Sequence, residues 1–443
     1  MNGGSPAGEA QPQAMIRFGT FDAESRWRPD DLARLPAVAA GASAGQAVAR
    51  MDELLCALTA PGDLLITGGP FPASLRDALG GAGLDFDHRW VGDADQPGES
   101  IEARIARSPE LVDLIRARGG RLDPFAVIPD TAALSAQLPE QLPDPATVAL
   151  VNSKTWSNSL ITRWGLPGAA VEADSCAALD KAVRTTLAEA GAAVVKDPYG
   201  VAGRGSLEIG SERALSAVLR HLGRQERAGA RVELLVQPRY ARRWDFSAQL
   251  RIAPGGHWRL LGTQTMDNRE LRHGSSGPVP DDLGRLLQER DYQGILGRVA
   301  EALSAAGYWG PACVDSLVCA DGQWAPLLEI NARQSLGLLN LSVDRRAARY
   351  GLRSRLWQAD ASVAAGRGID DLVTALRGAG ILYAAGPRPG VLPLAAGSLT
   401  HPAGRLHCAI LSPDGAAGSW PERIAACARE AGIVLRGVAG TGR

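Results

Sequence analysis

Residues 312–331 read ACVDSLVCADGQWAPLLEIN, and the order of residue types in this stretch decides the architecture around it. ACVDSLVC alternates as a strand, Asp321-Gly322 supplies a turn, and WAPLLEIN returns as the partner strand of a hairpin. A three-residue loop of Asp321, Gly322 and Gln323 sets Asp315 directly opposite Glu329. Glu329 and Asn331 are two positions apart, so their side chains leave the same face of the sheet. Three oxygen ligands then converge on one patch. An oxygen-only set with room for water and substrate phosphates suits magnesium better than zinc or copper. An ordinary hairpin with a solvated polar face carries the same pattern.

Upstream lies a second chemical element, KDPYGVAGRG at 196–205. Lys196 ends a strand signal at 193–196, glycines follow at 200, 203 and 205, and another strand signal begins at Ser206. A phosphate-binding P-loop needs Gly-Lys-Ser or Gly-Lys-Thr opening a helix, and a dinucleotide-binding turn also needs a helix. Neither is present. What remains is a glycine-rich hairpin whose backbone N–H groups can approach phosphates while the lysine neutralises them, or else a flexible surface turn. Lysine occurs only at 154, 181 and 196, leaving 44 arginines among the 47 basic residues. Where arginine serves as the general cation, a retained lysine can mark a site that wants a compact ammonium. Lys181, beside Asp180 in a helical stretch, reads as chance.

The 443 residues are too many for one ordinary domain. With 45% hydrophobic and 21% charged residues, each domain can bury a real core. The formal charge is -1, so no global field attracts nucleic acid or an anionic membrane. No apolar run reaches the roughly 18 residues that span a bilayer, and the polar start lacks signal-peptide regions, so a cytoplasmic protein is expected. The six cysteines form no CxxC pair and have no histidine at zinc spacing, which reads as reduced thiols without zinc.

Residues 1–14 read as a disordered tail and 15–148 as an N-terminal α/β domain, with a strand at 63–67 and a helix near 73–80. Gly68-Gly69 lacks the GxGxxG spacing and reads as a tight turn. QLPEQLPDPAT at 137–147, with three prolines, marks a connection. A helix is expected at about 155–164, and strands at 193–196, 206–209 and 233–237. The central module runs 149–363, and a glycine-bearing stretch at 364–368 opens a small C-terminal domain over 364–443. RHGSSG at 272–277 reads as a loop.

Taken in order, NSKTWSNSLITRWGLP (152–167), VVKDPYGVAGRG (194–205), LLVQPRYARRWDFS (234–247), GPACVDSLV (310–318) and LLEINARQSLG (327–337) resemble the ATP-grasp superfamily of ATP-dependent ligases. The resemblance covers about 149–340 and implies an ATP-grasp fold flanked by α/β domains. It implies that Lys154 and Lys196 hold ATP phosphates under a flap containing Gly203 and Gly205. Gln237 to Tyr240 would form the hinge beside adenine, and Asp245 would bond the ribose. The family often has Glu at both the hinge and the ribose positions, where this chain has Gln237 and Asp245. Asp315, Glu329 and Asn331 would hold two magnesium ions, and Arg333 would meet the transferred phosphoryl group or the acyl phosphate.

The implied activity is carboxylate–amine ligation: a small acid and an amine or peptide join through an acyl phosphate, with ADP and phosphate released. The extra C-terminal domain and the arginine-rich composition are similar to peptide ligases of the pheganomycin type. A dipeptide ligase of free amino acids and a non-catalytic ATP-binding regulator are the competing readings. The sequence is compatible with a homodimer. The arginines at 239, 242 and 243 read as a solvated face, and no residue stands out as the base for the amine.

Overall fold

A computed structural model describes residues 14–36, 48, 50–92, 98–139, 141–201, 204–269 and 272–438. Residues 1–13, most of the expected tail, and Gly203 lie outside them. The described residues build three sheets. The first is parallel, in the order Asp87–Trp90, Leu64–Thr67, Met15–Phe18, Arg121–Pro124. LLIT of the second strand is buried throughout, as expected of a parallel strand covered on both faces. The first three strands progress to one side of Met15–Phe18 and the fourth returns on the other. In open α/β sheets such a reversal is where ligands are taken, here at the carboxyl ends of Met15–Phe18 and Arg121–Pro124.

The second sheet is antiparallel, ordered Val171–Ala173, Leu234–Pro238, Ala193–Val201, Arg204–Ile209. Helices Cys176–Ala190 and Glu212–Arg227 bring Leu179, Val183, Leu215 and Leu222 into one core with Val195, Leu234 and Val236 of this sheet. Burial of these apolar side chains, at roughly 1.5–3 kcal/mol each, fixes which face of the sheet carries Lys196.

The third sheet has nine strands and includes the hairpin, observed as Gly310–Cys319 and Trp324–Asn331. Its order continues through Arg242–Ile252, Trp258–Arg269, Arg272–Gly277, Arg353–Val363, Ala403–Ser412 and Gly390–Pro393, while Ile433–Leu435 pairs with Arg353–Val363. RHGSSG is therefore a strand rather than a loop. Its glycines and serines are held between Trp258–Arg269 and Arg353–Val363, where ladder bonds on both sides override weak intrinsic preference. The boundary placed at 148 falls inside helix Pro145–Asn152, and that at 363 on the last residue of a strand paired with Ala403–Ser412.

Asp315 stands opposite Glu329, as the sequence predicts, but the turn differs. Leu317 pairs with Ala325 and Val318 with Trp324, leaving a five-residue loop at 319–323 instead of the expected three. A bulge between Asp315 and Leu317 takes up the offset and restores the register at the carboxylates. Among the described residues, no helix is long and apolar enough to cross a membrane.

Candidate functional site

Ser153 accepts a hydrogen bond from Trp156 N and so starts helix Lys154–Arg163 with the lysine in its first turn. From there Lys154 Nζ donates to Gly200 O at 2.7 Å and lies 3.1 Å from Glu329 Oε2. One cation thus joins the glycine-rich hairpin to the carboxylate hairpin. Lys196 projects from strand Ala193–Val201, opposite Ser206 on one side and Leu235 on the other. Burial lowers its pKa to about 8; the charge of Glu329 opposes this, and those of Lys154 and Arg242 add to it.

The hairpin itself needs its glycines. Gly205 has φ +88°, and a Cβ there would lie 2.6 Å from Gly200 Cα, closer than any side chain permits. Asp197 accepts from Tyr199 N at 2.9 Å and pairs with Arg28 at 2.8 Å, which ties this strand to the N-terminal region.

On the facing sheet Asn331 Nδ2 donates to Asp315 Oδ2 at 3.0 Å. Burial, reinforced by the charge of Glu329, raises the pKa of Asp315. Burial would also raise that of Glu329, but Lys154 and Lys196 outweigh it and the net shift is downward. Of the two, Asp315 is therefore the one that binds a proton more readily. Two opposed carboxylates are a donor set that a hard divalent cation relieves, with remaining ligands from water and phosphate. The Asn331 amide oxygen, which accepts from Arg333, joins them only if the amide turns over. Below the pair, Ser335 Oγ donates to Gln249 Oε1 at 2.7 Å, and Gln249 Nε2 donates to Ser247 Oγ at 3.0 Å and to Cys313 Sγ at 3.3 Å. These bonds brace the strand beneath the carboxylates.

Arg333 Nη2 donates to Asn331 Oδ1 at 3.0 Å, and its Nε donates to Glu24 Oε1 at 2.7 Å. Its guanidinium also lies over the Phe125 ring, 5.4 Å from the centroid. Gln237 is buried on strand Leu234–Pro238 and donates to Gly168 O at 2.6 Å. Tyr240 packs on Leu317, Cys319 and Ala325. The Asp245 carboxylate accepts twice from Arg242 Nη1, at 2.9 and 3.1 Å. Sequence reasoning missed Glu24 and Arg28, which carry no motif; Arg239, Arg242 and Arg243 are exposed, as read, and Arg242 in addition pairs with Asp245 and acts on Lys196.

Solved structures give this architecture its class. N5-carboxyaminoimidazole synthetase from Staphylococcus aureus, complexed with ADP, aligns with a TM-score of 0.53 at 8% identity, over 95% of this chain and 98% of that one. The biotin carboxylase domain of 2-oxoglutarate carboxylase from Hydrogenobacter thermophilus, in complex with MgADP, ADP and bicarbonate, aligns with a TM-score of 0.54 at 14% identity, over 96% and 92%. These are ATP-grasp proteins, and the chain has the ATP-grasp fold. Among curated proteins, the [butirosin acyl-carrier protein]–L-glutamate ligase of Niallia circulans is 26% identical over 166 residues, 37% of this chain. The match spans 38% of that relative's length. No protein-family model matches the chain.

Proposed function

We propose that the chain is an ATP-dependent carboxylate–amine ligase that joins a small amino-acid-like acid to an amine, such as a peptide N-terminus. The observation that carries this reading is the juxtaposition of Lys154 and Lys196 with the opposed pair Asp315 and Glu329. Cations suited to phosphate oxygens and carboxylates suited to magnesium face one another, as phosphoryl transfer requires. Lys154 and Lys196 hold the ATP phosphates, with the hairpin around Gly203 and Gly205 as the flap over them. Gln237 and Tyr240 flank adenine, and Asp245 bonds the ribose once Arg242 shifts. Asp315, Glu329 and Asn331 would hold two magnesium ions, whose charge would offset that gathering on the transferred phosphoryl group.

Arg333 sits beyond Asn331 and orients the acid. The substrate carboxylate attacks the γ-phosphorus, the bond to the β,γ-bridging oxygen breaks, and ADP leaves. The amine then attacks the acyl carbon, phosphate departs and a proton is lost, giving the amide. The protein's part in both steps is alignment and charge neutralisation. A regulator that only bound ATP would not need Asp315 and Glu329 set directly opposite each other.

The test is ADP release across a panel of acids that includes L-glutamate, the acid named in the curated relative, with hydroxylamine present to trap acyl phosphate. ADP and hydroxamate formed together by one acid support the ligase. ATP binding without ADP release across the panel supports the regulator.

A further inference from the structure

Glu24, on the short helix Ala23–Trp27 of the N-terminal region, is only 6% exposed. Its Oε1 takes both bonds from Arg333, Nε at 2.7 Å and Nη2 at 2.5 Å. Its Oε2 is buried and has no hydrogen-bond partner among the described residues. A carboxylate oxygen removed from water and given no donor costs more than an ordinary hydrogen bond contributes, so a ligand that brings a donor completes the site.

A second acceptor with the same lack belongs to the residue after Arg333. Gln334 is fully buried; its backbone N donates to Phe125 O at 2.9 Å and its Nε2 to Asp123 O at 3.3 Å. Bonding of Nε2 to a carbonyl identifies Oε1 as the remaining amide atom, and Oε1 has no partner. Glu24 follows strand Met15–Phe18 by six residues, and Asp123 and Phe125 lie at the end of strand Arg121–Pro124. Both orphaned acceptors therefore belong to residues tied to the carboxyl ends of the two strands between which the strand order reverses, the place where open α/β sheets take ligands.

Arg26 Nε, on the same helix as Glu24, is also buried without a partner among the described residues, but it belongs to a cation of the protein itself. The two acceptors call for an incoming group that is positively charged and rich in N–H. We propose that Glu24 Oε2 is the receptor for a primary ammonium group of the substrate, while Arg333, on the other oxygen of the same carboxylate, holds the adjoining anion. The proposal rests on the ligase reading and deepens it. The ammonium belongs either to the acid itself, making that substrate a zwitterionic amino acid, or to the incoming amine.

The acid panel is run in matched pairs, each amino acid beside its desamino analogue, on wild type, Glu24→Gln and Glu24→Asp, with thermal unfolding as the check on folding. If the ammonium is the acid's, wild type prefers the amino member by about tenfold or more in kcat/KM. Glu24→Gln then brings that preference to near unity mainly through KM, and Glu24→Asp restores part of it. If the ammonium is the amine's, the paired acids are equivalent in hydroxamate formation, and the KM for the amine rises about tenfold more than hydroxamate formation falls. A folded Glu24→Gln that alters neither the pair preference nor the amine KM overturns the proposal and leaves the ligase reading standing. If no acid releases ADP, the ligase reading fails, and a crystal soaked in methylammonium chloride decides the ammonium site by itself. Density bonded to Glu24 Oε2 in wild type and missing from Glu24→Gln upholds it, and water alone at that position overturns it.

Discussion

Lys154 and Glu329 meet at 3.1 Å, so the lysine rests on a carboxylate of the facing hairpin while its Nζ also holds Gly200 O. Under the proposed function, magnesium and nucleotide would take over both partners, the cation drawing Glu329 and the phosphates drawing Lys154. Glu329→Gln keeps the shape and removes one charge from the proposed magnesium site. Its ADP-release rate should fall by roughly two to three orders of magnitude. Its unfolding free energy should change by only about 1 kcal/mol, since the pair with Lys154 is partly exposed. Wild-type turnover at limiting magnesium would defeat the assignment.

Lys196→Arg should lose most activity although the charge survives, because a planar fork cannot replace a compact ammonium in a buried seat between phosphate oxygens. Lys181 is exposed on helix Cys176–Ala190, and Lys181→Arg should be nearly silent. Equal effects in the same assay would show that the buried position carries no special demand.

The lowered pKa of Lys196 makes nucleotide binding pH-dependent. Near pH 8 about half of these lysines are neutral, and incoming phosphates favour the charged form, so binding should draw protons from solution. Calorimetry in buffers of different ionisation enthalpy should show more uptake for wild type than for Lys196→Arg, the excess fading below about pH 7. In the free protein the sign runs through the unfolded chain, which binds more protons between about 8 and the ordinary 10.5. Stability from this residue therefore rises with pH across that window, and Lys196→Met should flatten the slope.

Gly205→Ala places a methyl against Gly200 Cα at a positive φ. The cost, about 1–2 kcal/mol, should fall on the hairpin and raise the KM for ATP without unfolding the domain. Hydrogen exchange over residues 194–201 and 204–209 should slow on adding Mg-ATP in wild type and slow less in the variant. Unchanged protection at saturating nucleotide would count against a closing flap.

Local signals carried the fold further than they carried the site. The carboxylate hairpin was legible because alternation and Asp321-Gly322 act within twenty residues. The five-residue loop and its bulge were not, since alternation marks faces but not the point at which one strand slips past the other. Strand Arg272–Gly277 was hidden by a composition suited to a loop. Glu24 was invisible for a simpler reason: its partner Arg333 lies 309 positions away, and no periodicity reaches that far.

The nine-stranded sheet also limits how this protein can be dissected. Strand Arg353–Val363 shares a ten-residue register with Ala403–Ser412. A fragment ending at 363 would expose that register as a raw edge, a template for joining other chains, in the sheet whose opposite margin bears Asp315 and Glu329. Cutting off the C-terminal region should therefore produce an aggregating stump rather than a minimal ligase, so the smallest unit worth expressing extends through the last strand, Ile433–Leu435.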